Sequence, residues 1–187
     1  MRIIAGSAKG RKLKCPRGIG TRPTPDRVRE SIFSILGDRV PGSRVLDLFA
    51  GTGAMGLEAI SRGAKQAVFV EKGPAVLKIL EDNIRGCGFL EKTLLVPMSV
   101  HRYLMRGDLG GVFDLVFADP PYGREEGTLT LMALSKHVTS LPEGLVVLEH
   151  APGDPVIQPP GLFFVETRKY GNTALTFFRV TGREDSP

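Results

Sequence analysis

The sequence is poor in the residues that would declare a disulfide scaffold, a metal box or a membrane anchor. Its 187 residues include two cysteines, three histidines and no tryptophan. Cys15 and Cys87 are far apart and form no disulfide framework, so a cytosolic setting is expected. His101, His137 and His150 have no cysteine pair beside them, and no metal site is expected. There is no run of 18 apolar residues, so no membrane-spanning helix is expected. The opening MRIIAGSAKGRKLK lacks the long apolar run of a secretory leader. With 42% hydrophobic and 24% charged residues, the composition excludes disordered, collagen-like and low-complexity chains. A chain of this length buries roughly 70% of its extended surface. One domain with a small appendage is therefore expected.

Positive charge is abundant and unevenly placed. The net charge is +5, but residues 1–44 carry 11 Lys/Arg against 3 Asp/Glu, whereas residues 45–187 carry 14 against 17. Arg2, Lys9, Arg11, Lys12, Lys14, Arg17 and Arg22 precede the first acidic residue, Asp26. A surface that is merely soluble mixes its signs, so this block points to a polyanion, nucleic acid first. Residues 1–14 read as a hairpin of Arg2–Ile4 and Arg11–Lys14 around a Gly-Ser-Ala-Lys-Gly turn. Lys12 and Lys14 then face solvent while Leu13 packs inward.

Downstream, the pattern alternates strand and helix. Thr24-Pro25-Asp26 opens a helix with Val28, Ile32, Ile35 and Leu36 on one stripe, ended by Gly37. Strands are expected at Val45–Phe49, Ala67–Val70, Thr93–Val96, Phe113–Ala118 and Leu145–Leu148. Helices are expected at 53–62, 74–84, 100–106 and 126–138, the last with Leu129, Met132 and Ala133 inward. Short apolar strands between amphipathic helices specify a mainly parallel α/β sheet covered on both faces. The ending differs. Phe163–Lys169 and Ala174–Val180 flank a Tyr-Gly-Asn turn as a hairpin, so one late strand runs antiparallel, with Phe163 or Phe164 expected in the core. Residues 182–187 read as a loose tail.

Two motifs carry chemistry. Gly51, Gly53 and Gly56 form G-x-G-x-x-G after the first parallel strand, and Glu71 follows at the end of the next. Such glycines let a ligand approach the backbone, and an acid at the second strand tip can accept from both ribose hydroxyls. This fits NAD, FAD or S-adenosylmethionine. Asp47 tilts the choice to the last, because a carboxylate near the turn opposes a pyrophosphate but attracts a methionine ammonium group. The chain is also short for a dehydrogenase with its own substrate domain.

The second motif is Asp119-Pro120-Pro121-Tyr122 at the end of the fourth parallel strand. An exocyclic amine of a nucleobase is a poor nucleophile because its lone pair is delocalised into the ring. The Asp119 carboxylate and Pro120 carbonyl can accept its two hydrogens and aim the nitrogen at a methyl donor. Tyr122 offers a flat face for the base, worth about 1–3 kcal/mol in stacking. The gain is mainly orientation and charge placement.

These segments, taken together, resemble the RsmD family of bacterial 16S rRNA guanine-N2 methyltransferases. The likeness runs from MRIIAGSAKGRKL through TRPTPDRVRESIFSIL, VLDLFAGTGAMGLEAISRGA, FVE and FDLVFADPPY to FFRV. DPPY is shared with DNA adenine-N6 methyltransferases; its combination with Thr21-Arg22-Pro23-Thr24 and Arg27-Val28-Arg29-Glu30 is more specific. The resemblance implies a Rossmann-like class I methyltransferase: seven mainly parallel strands, helices on both faces, an antiparallel C-terminal strand and an N-terminal β-hairpin for RNA. Residues 1–24 would form the hairpin and approach loop, 25–181 the catalytic domain and 182–187 the tail. It also implies S-adenosylmethionine as methyl donor, guanine N2 of nucleotide 966 as acceptor, the assembled or partly assembled small subunit as substrate, and a cytoplasmic monomer. By the same likeness Asp47, Phe49, Gly51, Gly53, Glu71 and Lys72 line the cofactor site, Asp119, Pro120 and Tyr122 handle the base, and Arg22 lies near substrate or cofactor. The family often places an acid at the third strand tip for the adenine amine; here that tip carries Ser99, expected to do a weaker version of the task. A DNA adenine-N6 methyltransferase and a non-catalytic RNA-binding protein are the rival readings.

Overall fold

A computed structural model describes residues 1–16, 25–121 and 125–180. The elements are α1 (Asp26–Leu36), β1 (Arg44–Leu48), α2 (Ala54–Ser61), β2 (Gln66–Glu71), α3 (Pro74–Cys87), β3 (Thr93–Pro97), α4 (Val100–Leu104), β4 (Leu115–Ala118), α5 (Glu126–Leu134), β5 (Leu145–His150), β6 (Leu162–Tyr170) and β7 (Thr173–Val180). All seven strands join one sheet in the order β3-β2-β1-β4-β5-β7-β6. The first five are mutually parallel, and β7 runs antiparallel to both β5 and β6. This is the Rossmann-like class I methyltransferase fold.

Strand alternation builds two cores. Val45, Ala67, Phe69, Leu115, Phe117 and Val147 face α1, α2 and α3, whereas Leu46, Val68, Val70, Val116, Val146 and Leu148 face α4 and α5. Both faces are covered, which is why the parallel strands read as unbroken apolar runs. Among the described residues, no helix is long and apolar enough to cross a membrane.

The N-terminal segment is tied into the first of these cores by Ile3 and Leu13. Its two limbs meet in one antiparallel bridge, Arg2 to Lys12, flanked by Ile3 N–H to Arg11 C=O at 2.9 Å and Leu13 N–H to Met1 C=O at 3.1 Å. The segment docks on α2. Buried Glu58 accepts the N–H groups of Ile4 at 2.7 Å and Ala5 at 3.0 Å, and Ser61 C=O accepts that of Ser7 at 2.8 Å. Gly6 is required there: its φ is +80°, and a Cβ would lie 1.8 Å from the Ser61 carbonyl oxygen.

Three expectations on packing are corrected. The stretch 126–138 is not one helix: α5 ends at Leu134, and a 3-10 turn, Ser135–Ser140, follows. Leu131 and Leu134 point inward, while Leu129 is 52% and Met132 45% exposed; Ala133 is half-buried against the core. The segment TLTLMAL is apolar on nearly every side, so its periodicity does not select a face. Neither Phe163 nor Phe164 is a core residue; Leu162 is, and Phe164 is 53% exposed. β6 is an edge strand: Phe164 lies across from buried Phe178 and meets its ring at 6.4 Å, but at the sheet edge it keeps its other side exposed, and the bulge of β6 comes only after it, between Phe164 and Glu166.

In α1, Val28, Ile32 and Leu36 are buried and Ile35 half-buried, but Arg29 is fully buried as well. Its Nη2 donates to the Arg2 carbonyl at 2.5 Å and to Asp26 at 3.1 Å, and burial lowers its pKa. Thr24 and the tail 182–187 lie outside the described residues.

Candidate active site

The site is assembled by strand register. Val70, Leu48, Ala118 and Leu148 form one row across β2, β1, β4 and β5. The residues one step beyond that row are Glu71, Phe49, Asp119 and Glu149. All four therefore stand at the carboxyl edge, around the point between β1 and β4 where the strand order reverses, the place where open α/β sheets bind ligands. Neighbouring strands are about 4.8 Å apart, so the Glu71 and Asp119 backbones are separated by two strand spacings, roughly 10 Å.

The turn after β1 is built around its glycines. Phe49 holds a positive φ of 60°, a costly conformation for an aromatic residue, and is half-buried against the second core. Gly51 has φ +54°, and a Cβ there would meet nothing nearer than the Phe49 carbonyl oxygen at 3.8 Å, so open space adjoins it. Gly53 has φ +79° and starts α2; a Cβ there would lie 2.3 Å from Leu80 of α3. Gly56 serves packing instead: a Cβ would approach the Phe69 ring to 2.4 Å. The third glycine of the motif thus brings α2 onto the sheet.

Acidic groups surround this turn. Glu71 accepts three backbone N–H groups, from Gly51 at 3.0 Å, Lys72 at 2.8 Å and Gly73 at 2.7 Å. Lys72 is exposed, and its bond to Glu71 comes from its backbone. Asp47 is buried, its Oδ2 accepting the Gly56 N–H at 2.9 Å. Burial pushes its pKa up to about 7, the Gly56 bond draws it down, and the charge of Glu71 raises it further. Such a set repels phosphate and suits a ligand that brings a cation. The remaining cofactor candidate, Ser99, caps α4: its hydroxyl accepts the Arg102 N–H at 3.3 Å.

Asp119 follows the end of β4 and is an exposed residue. Its carboxyl is nevertheless crowded by protein, and its pKa is pushed well above the carboxylate range, first by that desolvation, then by the charges of Glu149 and Asp47. Glu149 was not visible as a site residue in the sequence; a strand tip next in register to Asp119 was its only signal. Pro120 is half-buried and Pro121 exposed. Tyr122 lies outside the described residues.

Of the basic candidates, Arg2, Lys9, Arg11, Lys12 and Lys14 are all exposed. Lys14 Nζ is paired with Asp82 at 2.8 Å and Arg2 Nε with Asp26 at 3.5 Å. Arg17 and Arg22 lie outside the described residues.

With this geometry in place, comparison with known proteins is decisive at the level of family. The model of the family described as "Conserved hypothetical protein 95" matches residues 1–179. The chain belongs to that family. It is 34% identical to "Putative rRNA methyltransferase YlbH" of Bacillus subtilis, over 97% of this chain and all of the relative. It is 33% identical to "Ribosomal RNA small subunit methyltransferase D" of Haemophilus influenzae, over 91% of this chain and 89% of the relative. The solved structure of "Putative methyltransferase yhhF" from Escherichia coli superimposes with a TM-score of 0.85 at 30% identity, covering 98% of this chain and 99% of the other. The chain is a class I methyltransferase of the RsmD and YhhF kind, with an S-adenosylmethionine-binding fold.

Proposed function

We propose that this protein methylates the exocyclic N2 amine of a guanine in 16S rRNA of the small ribosomal subunit, nucleotide 966 by family likeness, and acts as a cytoplasmic monomer. The observation that carries the reading is the placement of Asp119 at the same sheet edge as the glycine turn and Glu71. That separation leaves room for a nucleobase edge between the acid and a donor seated at the turn.

The residues present fit S-adenosylmethionine. Gly51 opens the backbone to it, Glu71 would hold the ribose hydroxyls, Asp47 would face the ammonium group, and Phe49, Gly53 and Lys72 would complete the wall. When bound, it supplies a methyl group activated on a sulfonium. The chain's own contribution is to hold the amine. Asp119 and the Pro120 carbonyl accept its two N–H hydrogens, and the prolines lack the N–H that would compete for those acceptors. The raised pKa of Asp119 makes it a better acceptor for the proton the nitrogen must lose. Tyr122 would stack on the base, and Ser99 would contact the adenine of the donor while capping α4. The exposed basic face of residues 1–16, with Arg17 and Arg22, would lie on the phosphate backbone. One relative is named a putative rRNA methyltransferase and the other a ribosomal RNA small subunit methyltransferase, which supports RNA as the substrate.

The test is methylation of isolated small subunits with labelled donor, followed by digestion and mass spectrometry of the product. N2-methylguanosine at one position is expected; methyladenosine as the sole product would overturn the assignment.

Two further results are expected. Glu71→Ala raises the dissociation constant for S-adenosylhomocysteine about 10-fold or more in calorimetry, since hydrogen bonds to a charged group contribute about 1.5–3 kcal/mol. An unchanged constant would exclude the ribose role. If about five basic side chains touch phosphate, log affinity for RNA falls with log salt at a slope of roughly −3.5 to −4.5. Affinity indifferent to salt would remove the electrostatic footing.

A further inference from the structure

Asn83 of α3 is almost fully buried, 3% exposed, and joins two segments remote from it in sequence. Its Oδ1 accepts the Lys14 N–H at 2.7 Å. Its Nδ2 donates to the Lys14 carbonyl at 3.1 Å and to the Thr52 carbonyl at 3.0 Å. Both hydrogens of the amide are therefore spent, one on each segment. The orientation is unambiguous, because the flipped amide would set oxygen against two carbonyls and NH2 against an N–H.

The two segments are those that matter for substrate and cofactor. Lys14 belongs to the basic N-terminal segment, and Thr52 stands between Gly51 and Gly53 of the glycine turn. α3 reinforces both contacts: Asp82 takes the Lys14 ammonium at 2.8 Å, and Leu80 occupies the space beside Gly53. Met1 Sδ also lies 4.0 Å from the Thr52 hydroxyl. One side chain thus ties both backbone groups of a basic-segment residue to the glycine turn.

We propose that Asn83 is a positioning residue that couples RNA binding along the N-terminal segment to cofactor binding at the glycine turn. The inference rests on the functional reading above. Ordering the turn around Thr52 immobilises the Asn83 amide and, through it, the Lys14 backbone. The second ligand then meets a segment already ordered, and each ligand tightens the other by the same factor. Asparagine is specific to the task. Aspartate has the same size and still accepts the Lys14 N–H, but it can donate to neither the Thr52 nor the Lys14 carbonyl.

The test titrates wild type and Asn83→Asp with S-adenosylhomocysteine, alone and in the presence of a saturating RNA stem-loop. In the wild type, RNA tightens the cofactor by about fivefold or more, the lower end of ordinary coupling. In Asn83→Asp the ratio falls to about one, although each ligand alone still binds. A readout on the wild type stands beside this and serves if the variant does not fold. S-adenosylhomocysteine without RNA should slow hydrogen exchange of the Lys14 amide. A wild-type ratio of one, a variant that keeps the full ratio, or a Lys14 amide indifferent to the cofactor each overturns the coupling. Failure of the wild type to bind S-adenosylhomocysteine at all overturns the functional reading and the coupling with it. Independent binding of both ligands overturns the coupling alone.

Discussion

Asp119→Ala lowers single-turnover methyl transfer by at least about 100-fold while leaving the affinity for S-adenosylhomocysteine nearly unchanged, on the scale of losing one key transition-state hydrogen-bonding group. Asp119 follows β4, with β1 between it and Glu71, so on the proposed function its carboxylate addresses the acceptor base and not the ribose end of the donor. Only the ionised carboxylate accepts both from the amine and, later, its proton. Because desolvation, Glu149 and Asp47 all hold the Asp119 pKa high, the rate should climb as pH rises towards neutrality. Glu149→Gln removes one of those neighbouring charges and should move the acid limb of the profile to lower pH. Single-turnover assays across pH check both. A near-wild-type rate in Asp119→Ala would remove the acid from the mechanism.

The second large effect is on stability. Asp47 ordinarily titrates near 3.8, but in the folded chain burial raises its pKa to about 7. Below the lower value the group is protonated whether or not the chain is folded, and it costs nothing. Between the two values the unfolded chain ionises while the folded chain retains the proton, so stability falls as pH rises. Above about 7 the loss is complete, on the order of 4 kcal/mol for the ligand-free protein. Asp47→Asn never ionises yet keeps an oxygen for the Gly56 N–H. Its ligand-free melting temperature at pH 8 should exceed that of wild type by at least about 5 °C, with the dependence between pH 4 and 7 flattened. Its affinity for a donor carrying an ammonium group should fall at the same time. A lower melting temperature at pH 8 would show that Asp47 is not held against its ionisation. On the proposed function, the burial of this acid trades stability for the binding of a cation.

The order of elements was legible because it depends on local pattern. Apolar runs of four to six residues, separated by amphipathic stretches, placed each of the five parallel strands within about two residues. The place of Gly53 at the start of α2 followed from its motif, and the hairpin of β6 and β7 from Tyr170-Gly171-Asn172, where Gly171 has φ +61°. Pattern failed where it was ambiguous. In α5 nearly every position is apolar, so the inward face was decided by what α5 packs against. Arg29 is not among the apolar positions that mark the inward stripe of α1, yet it is buried and meets the Arg2 carbonyl of the N-terminal segment. In β6 the alternation holds through Phe164, which lies across from buried Phe178, but β6 is the edge of the sheet and Phe164 stays 53% exposed.

Short-range chemistry, written in neighbouring residues, was enough to specify a parallel α/β sheet, a glycine turn suited to S-adenosylmethionine, an acid-proline-proline strand tip and a basic leading segment. The partners of those parts were decided by tertiary structure. Glu149 stands beside Asp119, Glu71 gathers three N–H groups, Glu58 holds Ile4 and Ala5, and Asn83 bridges Lys14 to Thr52. Each of these depends on strand register or on a helix docked across the sheet, and no spacing along a single chain encodes which distant backbone group a buried side chain will meet.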